Sequence, residues 1–226
     1  MLNTEGLPPE TVVFDLDGTL VDTAPDLTEA LNSVLEAHAR ARLTPVAVRA
    51  MVGHGARALI EHGFAKTGPA ARADEIPGLV ALFLEHYGAH LTQMSRPFPG
   101  AVPLLEALAR GGTRVGICTN KPEALSVQLL DELGLRHYFP VVLGADSLPV
   151  RKPHPGHLLG TIERLGGRPE STVMIGDSAT DVETARAAHV PVIAVAFGYS
   201  TVPVEALGAD GVVSHFDEIF PALARA

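Results

Sequence analysis

The chain has 226 residues, 46% of them hydrophobic and 19% charged, which suffices for one domain or one domain with an insert and argues against disorder. Seventeen Lys and Arg against 26 Asp and Glu leave a net charge of −9, which excludes nucleic acid held through basic patches. The single cysteine, Cys118, excludes an internal disulfide and fits a reducing compartment.

The first ten residues, MLNTEGLPPE, show neither a basic nor an apolar signal region. No apolar run reaches the roughly 18 residues of a membrane span. The expectation is a cytoplasmic protein with neither a membrane nor a nucleic acid as partner. Residues 1–10 read as a frayed tail, since Pro8-Pro9 blocks regular structure. Val12-Val13-Phe14 is then a compact apolar run that ends abruptly in Asp15. Similar runs recur at Arg114–Thr119, Val141–Gly144, Thr172–Gly176 and Pro191–Phe197, with a weaker one at Gly211–Val213. Lacking alternation, they suit strands of a parallel sheet buried on both faces.

Helical spacing fills the gaps between these runs. Leu104, Leu105 and Leu108 mark one face, Leu125, Leu129 and Leu133 a second, and Leu158, Leu159, Ile162 and Leu165 a third. Gly134 and Gly166-Gly167 stand where left-handed C-terminal caps belong. Strand and helix in alternation predict an α/β fold: a doubly wound, mostly parallel, Rossmann-like sheet. Residues 22–94 break the alternation. They hold helical patterns only, with Leu27, Leu31, Val34, Leu35 and His38 on one stripe and another stretch near Leu79–His90. That is too long for one crossover, so residues 22–94 read as an inserted all-α cap on a core of 1–21 plus 95–226. Hinges are expected near Asp22–Pro25 and Ser95–Pro99, the second made extended by Arg96-Pro97-Phe98-Pro99-Gly100.

The polar residues cluster at the strand ends. After the first strand comes Asp15-Leu16-Asp17-Gly18-Thr19. Acids at i and i+2 point the same way at the carboxyl edge, where α/β sheets bind ligands, and Gly18 lets backbone approach closely. A plain Asp-Gly turn is the alternative. Thr119-Asn120-Lys121-Pro122 follows the next core strand; Asn120 also fits a helix N-cap with Glu123 in a capping box. Then comes Lys152-Pro153-His154-Pro155. Lys152 is one of three lysines, with Lys66 and Lys121, beside fourteen arginines. A compact ammonium suits an anionic cluster where a guanidinium fork does not fit. Gly176-Asp177-Ser178-Ala179-Thr180-Asp181 ends a further strand; Ser178 and Asp181 fit a capping box, but Asp177 does not.

The ordered set Asp15-x-Asp17-Gly18-Thr19, Thr119-Asn120, Lys152-Pro153 and Gly176-Asp177-Ser178-x-x-Asp181 resembles the haloacid dehalogenase-like superfamily of aspartate-nucleophile phosphatases. The resemblance spans nearly the whole chain and places the superfamily's helical cap at 22–94. Four aspartates against Lys152 leave an excess of negative charge that itself calls for a divalent cation, and hard oxygen donors suit Mg²⁺. The resemblance implies Asp15 as nucleophile, forming an aspartyl-phosphate, and Asp17 as the acid and then the base. It further implies Mg²⁺ held by the Asp15 and Asp177 side chains and the Asp17 backbone carbonyl, with Asp181 in the outer shell or orienting Lys152. Thr119 and the Asn120 backbone amide would hold the phosphoryl oxygens. Asp17 separates the chain from the metal-free dehalogenases of the superfamily.

The core handles only the phosphoryl group, so the cap must choose the substrate. Gly53-His54-Gly55-Ala56-Arg57 forms a turn opening on a helix start, where N–H groups, His54 or Arg57 can meet a carboxylate; a simple inter-helix turn is the alternative. Together with Thr119-Asn120-Lys121-Pro122, Lys152-Pro153-His154-Pro155 and Phe197-Gly198-Tyr199, it resembles bacterial phosphoglycolate phosphatases. One departure is Ala179-Thr180, where that group has an Arg-Asn pair. The implied reaction is hydrolysis of 2-phosphoglycolate, a small phosphorylated metabolite, by a monomer or homodimer. Rival readings are a phosphatase of another small metabolite or of pyrophosphate, and a phosphomutase of the β-phosphoglucomutase type. A phosphonate-cleaving relative would need Lys66 for imine chemistry, and an inactive binding module remains a further class.

Overall fold

The run Thr11–Phe14 forms β1, and all four of its side chains are buried. The computed structural model describes residues 9–223, so most of the expected 1–10 tail lies outside the described residues. A tight turn leads from β1 to β2 (Val21–Asp22). Four helices follow: α1 (Ala24–Ala37), α2 (Pro45–Arg49), α3 (Ala56–Thr67) and α4 (Ile76–Ala89). The chain returns through β3 (Arg96–Pro97), which pairs antiparallel with β2, so the two ends of the helical insert form one two-stranded strap. Beyond it come α5 (Ala101–Arg110), β4 (Arg114–Cys118), α6 (Glu123–Glu132), β5 (Val141–Leu143) and α7 (Pro155–Arg164). Then follow β6 (Thr172–Gly176), α8 (Ala179–Ala187), β7 (Val192–Val195), β8 (Gly211–Val213) and the short α9 (Ile219–Leu223).

The main sheet runs β5-β4-β1-β6-β7-β8, every neighbouring pair parallel. From β1 the chain winds outward through β4 to β5, then crosses to β6 and winds the other way. The switch point therefore lies at β1, whose carboxyl end opens into the crevice that such a reversal creates. Side chains alternate across the sheet and divide the core in two. Val12, Phe14, Ile117 and Ile175 join α5 and α6 and run on into the insert; Val13, Met174 and Val192 meet Leu158 and Ile162 of α7 and Val182 of α8. Both faces are thus covered, which explains strands that read as continuous apolar runs.

The insert has its own apolar seam. Leu27, Leu31, Val34 and Leu35 of α1 are buried, and α1 and α3 both pack on α4. His38, expected on that stripe, is exposed: α1 stops at Ala37, and Ala39 turns the chain with φ +55°. Leu159 also departs from its stripe and points outward, while Leu158, Ile162 and Leu165 stay buried. Gly134 and Gly166 adopt the left-handed conformation expected of them. The return strap is fastened by buried Asp26, whose carboxylate accepts from the N–H groups of Met94 (3.0 Å) and Ser95 (2.8 Å) and from Ser95 Oγ (2.7 Å). A buried carboxylate with that many donors is satisfied and fixes the strap to α1. Among the described residues, no helix is long and apolar enough to cross a membrane.

Candidate active site

Asp15 follows β1 directly, and its N–H continues the ladder to the Ile175 carbonyl at 2.9 Å, so the backbone of the sheet fixes where its carboxylate stands. The carboxylate is buried, with Lys152 Nζ 2.8 Å from Oδ1. Burial pushes its pKa up to about 6, against the pull of Lys152. Lys152 is buried too. Its ammonium also meets Asp181 Oδ1 at 2.6 Å, and the two carboxylates raise its pKa despite burial.

Asp181 serves two purposes. Its Oδ2 accepts from Ser178 Oγ (2.6 Å) and from the N–H groups of Asp177 and Ser178 (both 3.1 Å), which completes the expected capping box at the start of α8. Its other oxygen holds Lys152. Asp177 accepts from Thr19 Oγ1 at 3.1 Å and from the Tyr199 N–H at 2.6 Å. Burial and then the neighbouring Asp181 and Asp15 push its pKa well up. Asp15, Asp177 and Asp181 can each offer one oxygen, all within 4.8 Å of one another.

Gly18 makes this packing possible. Its φ is +86°, and a Cβ there would lie 2.6 Å from Asp177 Oδ2 and 2.7 Å from the Tyr199 ring. No side chain fits between the loop after β1 and the loop after β6.

Asp17 sits at the cleft side of the cluster. Thr23 Oγ1 donates to its Oδ1 at 2.8 Å, and Lys121 Nζ lies 3.1 and 3.4 Å from its two oxygens. Lys121 is buried and also donates to Tyr87 Oη, on α4 of the insert, at 2.6 Å. Burial lowers its pKa, and Asp17 opposes the shift. With Lys121 beside Lys152, four carboxylates face two ammonium groups, so the negative excess is smaller than Lys152 alone would leave, though two charges remain uncompensated.

A narrow cleft, about 40 Å³ in accessible volume, opens above Asp15 and Asp17. Thr119, Asn120 and Lys121 form its rim, and the insert roofs it with apolar groups from Leu27, Val52, Leu59 and Phe83, together with Gly53 and Gly55. Asn120 is not the cap of α6: Pro122 holds that position, and no side chain caps it. Asn120 Nδ2 instead donates to the carbonyls of Gly53 and Lys152, both at 3.1 Å, and so ties the insert to two core loops. His54 and Arg57 do not line the cleft. Both are exposed, and Arg57 pairs with Glu61 one helical turn on, at 2.8 Å. Lys66 lies in the last turn of α3 and also does not line the cleft.

Sequence reasoning missed four residues at this site: Thr19, Tyr87, Lys121 and Tyr199. Lys121 had a visible signal, as one of three lysines placed directly after a strand-end motif. Tyr199 links the cluster to the strap: its N–H serves Asp177, while its hydroxyl donates to Asp22 Oδ1 at 2.6 Å and accepts from the Ala24 N–H at 2.9 Å.

A family model described as haloacid dehalogenase-like hydrolase matches residues 12–195. A phosphoglycolate phosphatase of Caulobacter vibrioides is 46% identical over 209 residues, which cover 92% of this chain and 88% of that one. One from Mesorhizobium japonicum is 42% identical, covering 95% and 94%. The crystal structure of a predicted phosphoglycolate phosphatase from Haemophilus somnus superposes with a TM-score of 0.90 at 29% identity, over 97% of this chain and 99% of that one. The strand-end carboxylates, the lysine between them and the helical insert over the cleft thus belong to a recognised lineage: the chain is a member of the haloacid dehalogenase-like hydrolase family.

Proposed function

We propose that the chain hydrolyses a small phosphate monoester, 2-phosphoglycolate, with Asp15 as the nucleophile and Mg²⁺ as cofactor. The observation that carries this reading is the buried Asp15 carboxylate at the floor of a roofed cleft, held by Lys152 and set beside Asp177 and Asp181. The names of the relatives support the choice of ester.

The donor set fits a hard divalent cation: buried carboxylate oxygens close together, with negative charge left over. Asp181 is the more heavily committed, with the Lys152 ammonium on one oxygen and three donors on the other, whereas each oxygen of Asp177 accepts a single hydrogen bond, so Asp181 orients rather than ligates. Asp15 and Asp177 are left to bind through side chains, with the Asp17 carbonyl as the third protein ligand. When bound, Mg²⁺ supplies the positive charge that lets a phosphate dianion approach three aspartates.

Lys152 holds one oxygen of Asp15 and so fixes which way the carboxylate faces. Asp15 attacks phosphorus, and the phosphoryl group passes to its free oxygen. Thr119 and the Asn120 N–H steady the phosphoryl oxygens. Asp17, turned to the cleft by Thr23 and Lys121, takes up a proton from solvent as the phosphate dianion enters, gives it to the departing alkoxide and recovers one from the hydrolytic water. Closure of the insert keeps bulk water off the acyl phosphate. The apolar roof gives a sugar ring few hydrogen-bonding partners, which sets this cleft apart from that expected of a sugar phosphomutase.

The test is phosphate release from 2-phosphoglycolate with Mg²⁺, with excess chelator, and with the Asp15→Asn protein. Turnover should require the metal and fall by roughly 10⁴-fold or more on substitution. An Asp15→Asn enzyme within tenfold of the parent would end the proposal.

A further inference from the structure

We propose that Lys121 is the residue that recognises the carboxylate of the substrate, and that it does so only when the insert is closed. This rests on the phosphoglycolate reading above and assigns to one residue the choice that reading leaves to the cap.

Beside its phosphate dianion, phosphoglycolate carries a third charge, on a carboxylate whose carbon lies two bonds from the bridging oxygen. That oxygen must face Asp17, which protonates it. The carboxylate therefore lies next to whatever surrounds Asp17. Among the described residues lining the cleft, Lys121 is the only cation, and its Nζ already touches Asp17 at 3.1 Å. An ammonium has three donors. One goes to Asp17 and one to Tyr87 Oη at 2.6 Å, which leaves one for a ligand. The rest of the roof near it, Leu59, Phe83 and Leu84, is apolar. A charge pair formed against such walls is weakly screened and therefore discriminating.

The alternatives on the insert are further off. The side chains of His54 and Arg57 are exposed, and Arg57 is engaged by Glu61. Lys121 belongs to the core but leans on the insert: Tyr87 both accepts its hydrogen bond and places its ring under the ammonium, 4.2 Å from Nζ to the ring centre. Opening the insert removes Tyr87 and frees Lys121 to bend away. Recognition and closure are thus one event, and an ester without the carboxylate gains less from closing.

The experiment compares kcat/KM for 2-phosphoglycolate and for ethyl phosphate, which has the same length but a methyl in place of the carboxylate. The proteins are the wild type, Lys121→Met and Lys121→Gln. The glutamine keeps a polar donor, one atom shorter and without charge, and it serves if the methionine protein fails to fold. Wild type should prefer phosphoglycolate, and both variants should lose that preference by roughly 100-fold, the scale of an unpaired buried charge. A fall in both esters together, with the ratio kept, would show that Lys121 only orients Asp17 and would overturn the proposal while leaving the substrate reading intact. A wild-type enzyme that treats both esters alike would sink the substrate reading and this inference with it.

Discussion

The buried Asp15 carboxylate makes a specific demand on stability. Asp15 has its pKa raised from 3.8 to about 6, burial outweighing Lys152. A carboxyl whose folded pKa lies above its unfolded value stabilises the fold fully below the unfolded value. That contribution disappears as pH rises through the folded value. At 1.36 kcal/mol per unit the full effect is about 3 kcal/mol, and linkage places nearly half of it, about 1.4 kcal/mol, between roughly pH 5 and 7.5. With an unfolding entropy of about 2.1 cal/mol/K per residue, that is roughly 3 °C in Tm for a chain of this length. Asp15→Asn carries no such charge. In chelator, the Tm of Asp15→Asn minus that of wild type should therefore grow by about 3 °C across this window. Scanning calorimetry at several pH values measures it, with the many titrations common to both proteins cancelling in the difference. Adding Mg²⁺ should reverse the trend at neutral pH, because only wild type gains the full site and with it binding free energy. A difference that shrinks with rising pH would refute the reasoning: it would mean that Lys152 outweighs burial and that the carboxylate is held ionised.

Three other substitutions follow from the same geometry. Lys152→Met strands Asp15 and Asp181 in the interior and should cost about 3–5 kcal/mol in urea unfolding, as well as turnover; a loss under about 1 kcal/mol contradicts the buried cluster. Gly18→Ala places a methyl 2.6 Å from Asp177 Oδ2 at a φ of +86°, so Mg²⁺ affinity by titration calorimetry should drop about tenfold or more. Unchanged affinity would show that the two loops separate freely. Tyr199→Phe leaves the buried Ala24 N–H without its acceptor and Asp22 Oδ1 without its donor, Arg49 still holding the other oxygen, for about 1–3 kcal/mol by denaturant melts. A neutral result would mean that the strap does not depend on this hydroxyl.

The core was legible because its signals are local. A compact apolar run is visible within a few residues, and six such runs became the six strands of the sheet, two of them ending directly in an acid, Asp15 and Asp177. Asp15, Lys152, Asp177 and Asp181 converge because Asp15 and Asp177 follow strands, Lys152 precedes α7 and Asp181 lies in the first turn of α8, all at one edge of that sheet. The Ser178–Asp181 pair shows why setting structure against function can mislead: the cap forms and Lys152 is held, on different oxygens of one carboxylate. Asn120 shows the reverse, since a good capping pattern lost to a tertiary demand from Gly53 and Lys152 carbonyls.

What stayed hidden is what depends on how the insert lies over the core. Tyr87 falls on an ordinary helical stripe, and no spacing rule distinguishes a core tyrosine from one that holds a buried lysine 34 residues away. Lys121 was visible only as a rare residue in a telling place. Its partner could not be read, because the angle between insert and core is set by the strap at β2 and β3, by Asp26 and by Asp22 with Tyr199, all contacts distant in sequence. The same contacts explain why His54 and Arg57 look attractive on paper: a glycine-flanked histidine before a helix is a plausible anion site until the roof is in place. Once it is, their side chains face solvent, and the cation beside Asp17 comes from the core. The contact of Lys121 with Tyr87 is a property of the closed interface: one partner lies in a strand-end motif and the other on an ordinary helical stripe, so the motif shows the lysine and not what it meets.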